Sequence, residues 1–277
     1  MGKLVSVIAS THNPRICWNR DEGHPDDLKE LDATFKVLHD GLDAAKPDTI
    51  IFIGNDHLDS FFLDNLPSFA IVTGPKVAGP YWYEDEIMHL PDYKAAVNAD
   101  LAHDILKVGI EEGIAFSRAY DARLDHAFTL PLSFIRPERD IPLVPIFTNV
   151  FCWPIAPSHV WIDLGKFLRR MVESRPANER IAIMCSFNLT VEVGGPLMGA
   201  FDREFSKMML DMMEEADVAK MQRELTIPRL ISKGNSTAEF LNYFAILGVM
   251  GNRKPDFIKH KPVRGVGTCP VAMWNNP

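Results

Sequence analysis

Two histidines stand where an α/β enzyme places its chemistry. In "SVIASTHNPR" His12 lies just past an apolar, strand-like run, and in "IIFIGNDHLD" His57 lies just past another. Neutral imidazole is the commonest protein ligand for a metal ion, so two histidines at equivalent strand ends suggest a shared site. Singly, each reads equally well as a loop histidine bonded to backbone. An iron site of the two-histidine, one-carboxylate kind needs a third, anionic ligand. Glu239 is the candidate, although "STAE" (residues 236–239) also has the form of a capping box, in which the glutamate only reaches back to its own helix. His126 in "RLDHAFTLPL", beside Asp125, begins a further apolar helix and reads as a pocket base or as a first-turn residue. His24, His39, His89, His103, His159 and His260 lack comparable surroundings and read as surface or packing residues.

A third strand end carries an oddity. "IAIMCSFNLTVEVGG" runs from an apolar strand into a polar, glycine-rich loop, yet the loop centre is Val191. Ligands of open α/β sheets bind at the carboxyl ends of the strands, so His12, His57 and Val191 are expected to line one crevice.

The elements that must position these residues alternate. Strands are expected at "KLVSVIAS", "DTIIFIGND", "SFAIVTG", "IAFSRA", "IPLVPIFTN" and "RIAIMCS". Helices are expected where Leu28, Leu31, Phe35, Leu38 and Leu42 recur, capped by Asp26 or Asp27, and over "DYKAAVNADLAHDILKVGIEEG", "SHVWIDLGKFLRRMVES", "FDREFSKMMLDMMEEA" and "STAEFLNYFAILGVMG". The last two flank a loop containing Pro228 and Gly234, and the tail "KHKPVRGVGTCPVAMWNNP" is expected to wrap the surface. Strands that are apolar throughout are buried on both faces, which predicts an α/β fold: a single domain over 1–277, with a mostly parallel central sheet and helices on both faces.

With 277 residues, 47% of them hydrophobic, the chain has enough apolar surface for a large core. A formal charge of -8 leaves no basic stripe for a nucleic acid, and no apolar stretch has the length of a membrane span, so a cytoplasmic protein with a small-molecule ligand is expected. Cys17, Cys152, Cys185 and Cys269 show no paired spacing and read as ordinary thiols. "GNDH" (residues 54–57) suggests a two-metal phosphoesterase, but the accompanying aspartate motifs are missing, as are the nucleophile elbow, the P-loop and the dinucleotide fingerprint.

Taken in order, "STHNP", "IFIGNDHLDSFFLDNLPSFAIVTG", "LDHAFTLPLSF", "IPLVPIFTN" and "GNSTAEFLNYFAILG" resemble the class III (LigB-type) extradiol ring-cleavage dioxygenases. Within that family the sequence looks like the catalytic β subunit of protocatechuate 4,5-dioxygenase and gallate dioxygenase. It implies Fe(II) held by His12, His57 and Glu239, a catecholic aromatic acid or related o-diphenol or aminophenol as substrate, and O2 as co-substrate. His126 would be the second pocket histidine, bonding to substrate or oxygen.

The resemblance breaks at the third strand end. The family carries a Ser-His pair there, whose histidine moves protons during ring opening; here the pair falls on Thr190 and Val191, and valine carries no proton. Three accounts remain: a deliberate replacement, a natural enzyme that uses His126, Glu192 or the substrate itself, or a relative that binds and scarcely turns over. The other functional class is a silent subunit that binds a metal or aromatic ligand and supports a partner. Glu192 is expected to point away from the crevice, since neighbours in an extended segment face opposite ways. Relatives of this size imply a homodimer or a small separate subunit, and "GPKVAGPYWYEDEIMHLPDY", with Trp82 and Tyr83, is a candidate cover, interface or plain surface loop.

Overall fold

The computed structural model describes residues 1–277 except Asn19 and Lys261. In chain order its first half comprises β1 (Lys3–Thr11), α1 (Arg15–Trp18), α2 (Pro25–Ala45), β2 (Thr49–Asn55), β3 (Phe69–Val72), β4 (Lys76–Gly79), α3 (Trp82–Met88), β5 (Tyr93–Ala96), α4 (Ala99–Glu111), β6 (Phe116–Ala119) and α5 (His126–Ile135). The second half comprises β7 (Leu143–Thr148), α6 (Ser158–Ser174), β8 (Arg180–Phe187), α7 (Arg203–Glu215), α8 (Val218–Glu224), α9 (Ile227–Ile231), a 3-10 turn (Thr237–Phe240), α10 (Leu241–Met250), β9 (Phe257–His260) and β10 (Pro270–Asn275).

Eight strands form the central sheet in the order β6-β3-β7-β2-β8-β1-β10-β9, and β4 pairs with β5 apart from it. The centre, β7-β2-β8-β1, is parallel throughout. Every residue of β2, β3 and β7 is buried, which accounts for their lack of apolar-polar alternation. Helices flank the sheet as expected of a single α/β domain. α2 packs on α5 and β1, while α6 runs against α10. That second pair approaches closely through Gly165: a Cβ there would lie 1.9 Å from the Ala245 carbonyl oxygen.

Several boundaries differ from expectation. The segment expected as one helix from Asp92 splits into β5 and α4, because the Asn98 side chain accepts from Leu101 N and starts the helix there. α2 begins at Pro25 with His24 as its cap residue, and Asp26 and Asp27 fall in its first turn, where carboxylates favour the helix dipole. The loop expected around Pro228 is largely helical, with Pro228 in the first turn of α9. The tail is no surface wrap: β10 pairs antiparallel with β1, and Val271, Ala272, Met273 and Trp274 are buried. Residues 82–88 form α3 and not a loop. All four cysteines are free. No helix among the described residues is long and apolar enough to cross a membrane.

Candidate metal and substrate site

The strand order assembles the site. β8 lies between β2 and β1, so the residues just beyond these three strands, His57, Asn188 and His12, are neighbours at one sheet end. Thr11 lies opposite Phe187 in register, which brings the next residues, His12 and Asn188, together. Thr11 Oγ1 donates to Asn188 Oδ1 (2.8 Å) and fixes the amide's orientation. The amide nitrogen then donates to Glu239 Oε2 (2.7 Å). Glu239 arrives from the 3-10 turn before α10 and is buried. Its Oε2 is 3.2 Å from His12 Nε2, and its Oε1 is 3.6 Å from His57 Nε2. Ser236 makes no side-chain cap bond, so the carboxylate of "STAE" faces the histidines and no capping box forms.

A buried carboxylate stands behind each of two imidazoles. Asp125, the N-cap of α5, accepts from Ala127 N (2.8 Å) with Oδ1 and from both His57 N (3.0 Å) and Nδ1 (2.9 Å) with Oδ2. Glu84 of α3 accepts from His126 N (2.8 Å) and Nδ1 (2.6 Å) through Oε1. The His57 and His126 rings stack at 4.1 Å, and His12 meets both edge-on. Below them Asn242, inside α10, donates to Asn55 Oδ1 (3.1 Å) and to the Ser186 carbonyl (2.8 Å), and accepts from Thr148 Oγ1 (2.9 Å). The polar floor is thereby tied to four elements.

Electrostatics follow from burial and pairing. Burial lowers the pKa of His12, with Glu239 opposing. For His57 burial acts in the same direction, but Asp125 and Glu239 outweigh it and hold the imidazole well above its ordinary value. Burial raises Glu239, yet His12 and His57 bring it below the usual carboxylate range. Asp125 behaves likewise, raised by burial and brought down by His57 and then His126.

These residues fit a metal ion. In the neutral ring that donates from Nδ1 to Asp125, His57 Nε2 would carry the lone pair facing Glu239 Oε1, a place that a metal ion could take instead of a proton. Two acceptors turned towards each other in a buried site suit a cation between them. The ligand atoms of His12, His57 and His126 also lie within 4.8 Å of one another, so a metal could be held by the histidines.

The cavity over this floor has a volume of about 550 Å³. His12, His57, His126, Asn188 and Glu239 lie at its polar end, and Trp18, Leu58, Tyr83, Ile87, Met88, Phe151, Val191, Val193 and Met198 form much of the remaining wall. His12, His57 and Val191 thus share one crevice. Thr190 is buried behind the wall, where Oγ1 accepts from Asp202 N (2.9 Å) and contacts Ser206 Oγ (2.5 Å). Thr190, at the position of the family's serine, is absent from the described lining and fastens the loop. Glu192 is absent from the described lining, as its extended neighbourhood implied.

Residues 6–270 match the family described as the catalytic LigB subunit of aromatic ring-opening dioxygenase. The chain belongs to this family. Among curated proteins it is 22% identical over 246 residues to a 2,3-dihydroxyphenylpropionate/2,3-dihydroxicinnamic acid 1,2-dioxygenase of Photorhabdus laumondii, covering 88% of this chain and 73% of that one. It is 24% identical over 213 residues to the protein of the same description from Escherichia coli K12 (strain DH10B), covering 76% of this chain and 64%, just under two thirds, of the relative. Among solved structures, uncharacterized protein JW3007 from Escherichia coli K12 superposes with a TM-score of 0.62 at 15% identity, over 97% of this chain and 99% of that one, a likeness of fold.

Within this LigB-family chain, sequence reasoning found His12, His57, His126 and Glu239 but missed Asn188, Asn55, Asn242 and Glu84. A signal existed for the first three. Asn55 and Asn188 each follow an apolar strand run, and Asn242 interrupts the otherwise apolar "LNYFAILGVM".

Proposed function

We propose that the chain is an Fe(II)-dependent extradiol dioxygenase that opens the ring of a catecholic substrate, an o-diphenol or aminophenol, with O2, its catalytic domain spanning 1–277. The observation that carries this reading is Glu239, buried with one oxygen towards Nε2 of His12 and the other towards Nε2 of His57. In the proposal these three hold the metal on one face, as a non-heme iron site requires. A bound iron would supply the redox chemistry that lets an electron-rich ring react with O2.

The chain's own residues do the rest. Asp125 favours the His57 tautomer whose Nε2 could ligate a metal. Asn188 holds Glu239 in place. Glu84 accepts from His126 Nδ1, which leaves His126 Nε2 as the atom that takes a proton from, or returns one to, the substrate. Val191 moves none. Met88 and Phe151 line the cavity inside its exposed rim and limit water around the diol. A homodimer or a small separate subunit is the proposed assembly, cytoplasmic the proposed setting, and the exposed Trp82, beside the cavity residue Tyr83 on α3, the proposed contact.

Iron analysis of Glu239→Ala and His57→Ala tests the site: loss of iron in both is expected, and undiminished iron in both refutes the assignment. Anaerobic titration with a catechol, followed by O2, tests the activity through the absorbance of the ring-fission product. Val191 in the cavity wall favours a second reading, a binder that does not turn over, for which the same titration gives a lasting complex and no product.

A further inference from the structure

We infer that the ring substituent recognised by this chain is uncharged and apolar, and not a carboxylate. The inference rests on the proposed ring-cleaving function and concerns the part of the cavity away from the diol. Among the described residues the cavity is lined by no lysine and no arginine. Arg15 lines a separate, smaller cavity with Gly199 and Arg264 and lies 3.9 Å from Glu22.

Several neutral donors of the lining are already bonded. Asn13 Nδ2 donates to the carbonyls of Val266 (3.3 Å) and Thr268 (3.2 Å). Asn235 Nδ2 donates to the Val193 carbonyl (2.8 Å), Ser236 Oγ to Asn235 Oδ1 (3.4 Å), and the Tyr83 hydroxyl to Asp59. The carboxylates nearest the lining are Glu239 in the cavity, with Asp125, Glu84 and Asp59 bonded to its lining residues, and the imidazoles that balance them lie at the diol end. A carboxylate seated past the diol against Met88 and Phe151, inside the exposed rim of Trp18, Ile87, Val193 and Met198, would give up water with no counter-charge among the described lining. Burying an unpaired charge is costly, whereas an alkyl or aryl group gains from the same surface. The curated relatives' printed substrates carry a carboxylate, so the lining marks a divergence of specificity.

The test compares 3-propylcatechol with 3-(2,3-dihydroxyphenyl)propionate, which share the diol and differ at the end of the side arm. Anaerobic equilibrium binding to the iron-loaded protein is measured first, then kcat/KM after O2 is admitted. The neutral catechol is expected to bind and react roughly tenfold better or more. Equal or reversed preference overturns the inference and leaves the ring-cleaving function standing. No binding and no turnover with either overturns that function and the inference with it. Ile87→Arg, at a cavity residue that is 40% exposed, places a cation on the wall without a buried charge. It is expected to improve the carboxylate compound about tenfold, and no improvement overturns the link between the missing cation and the preference.

Discussion

Asp125→Asn removes one charge and almost no volume, so its effect reads the hydrogen bonds directly. The carboxylate accepts three: Ala127 N on Oδ1, and His57 N and Nδ1 on Oδ2. An amide keeps one acceptor oxygen. If that oxygen stays on Ala127, the new NH2 meets two donors at His57, a backbone N–H loses its partner, and the ring is driven to the tautomer whose lone pair is on Nδ1. A buried donor left unsatisfied costs about 1–3 kcal/mol. If the oxygen turns to His57, the α5 cap is lost, at about 1 kcal/mol. Either way the variant is expected to lose about 1–3 kcal/mol of stability in urea unfolding of the metal-free protein. Removing a carboxylate behind a ligating histidine lowers metal affinity roughly 10–100-fold, so chelator competition should show that loss for iron. Glu84→Gln, behind His126, is the control and should leave iron affinity near that of the parent. Unchanged iron affinity in a folded Asp125→Asn protein would show that His57 does not bind through a tautomer set by Asp125.

Three further outcomes follow from the same geometry. His126→Gln should keep its iron and lose turnover by about 10²–10⁴-fold, the usual contribution of a general acid or base; loss of iron would move His126 into the ligand set, as its proximity to His12 and His57 allows. Val191→His should raise the ring-cleavage rate by about tenfold or more, and no gain in single-turnover rate would refute the account of this position. His260 is brought down to about 4 by burial, and its Nε2 is buried without a partner. A histidine depressed in the fold stabilises it above the unfolded value and loses that contribution as acidification protonates the unfolded chain. Between pH 7 and pH 5 this amounts to about 1–2 kcal/mol, so urea unfolding of His260→Gln should show a correspondingly smaller loss than the parent.

The central sheet was legible because its strands are apolar on both faces, and "RIAIMCS" or "IPLVPIFTN" admits little else at that length. The tail was not. Its Gly/Pro-interrupted approach conceals β10, whose pairing with β1 depends on residues more than two hundred positions away. The histidines and Glu239 were legible because strand ends and a known family pattern mark them. Glu84 was hidden for a physical reason: it supports His126 across 42 residues from a helix that reads as a surface segment, and only folding shows the carboxylate to be buried. Asn242 bonds Asn55 across 187 residues, a contact with no local trace. The split of residues 92–111 into strand and helix was open to sequence reasoning, since Asn98 is a good cap and Tyr93 to Ala96 alternate in burial.

Val191 brings the question of turnover and that of specificity together. Its backbone is fixed from both sides: the carbonyl accepts from Ser236 N (3.3 Å), and its N–H donates to Thr237 Oγ1 (3.4 Å). Gly234 permits the approach, because a Cβ there would lie 2.4 Å from the Val191 oxygen, and its φ of +145° suits glycine alone. Ser236 and Thr237 lead directly into Glu239, so the loop and the carboxylate turn are tied together, and position 191 holds its place relative to Glu239 whatever side chain it bears. A histidine there would present a polar, protonatable group to the substrate. Valine presents methyl groups, in a cavity whose described lining holds no lysine or arginine. In the proposed reading, valine at this position leaves proton transfer to His126 and also extends the apolar part of the wall.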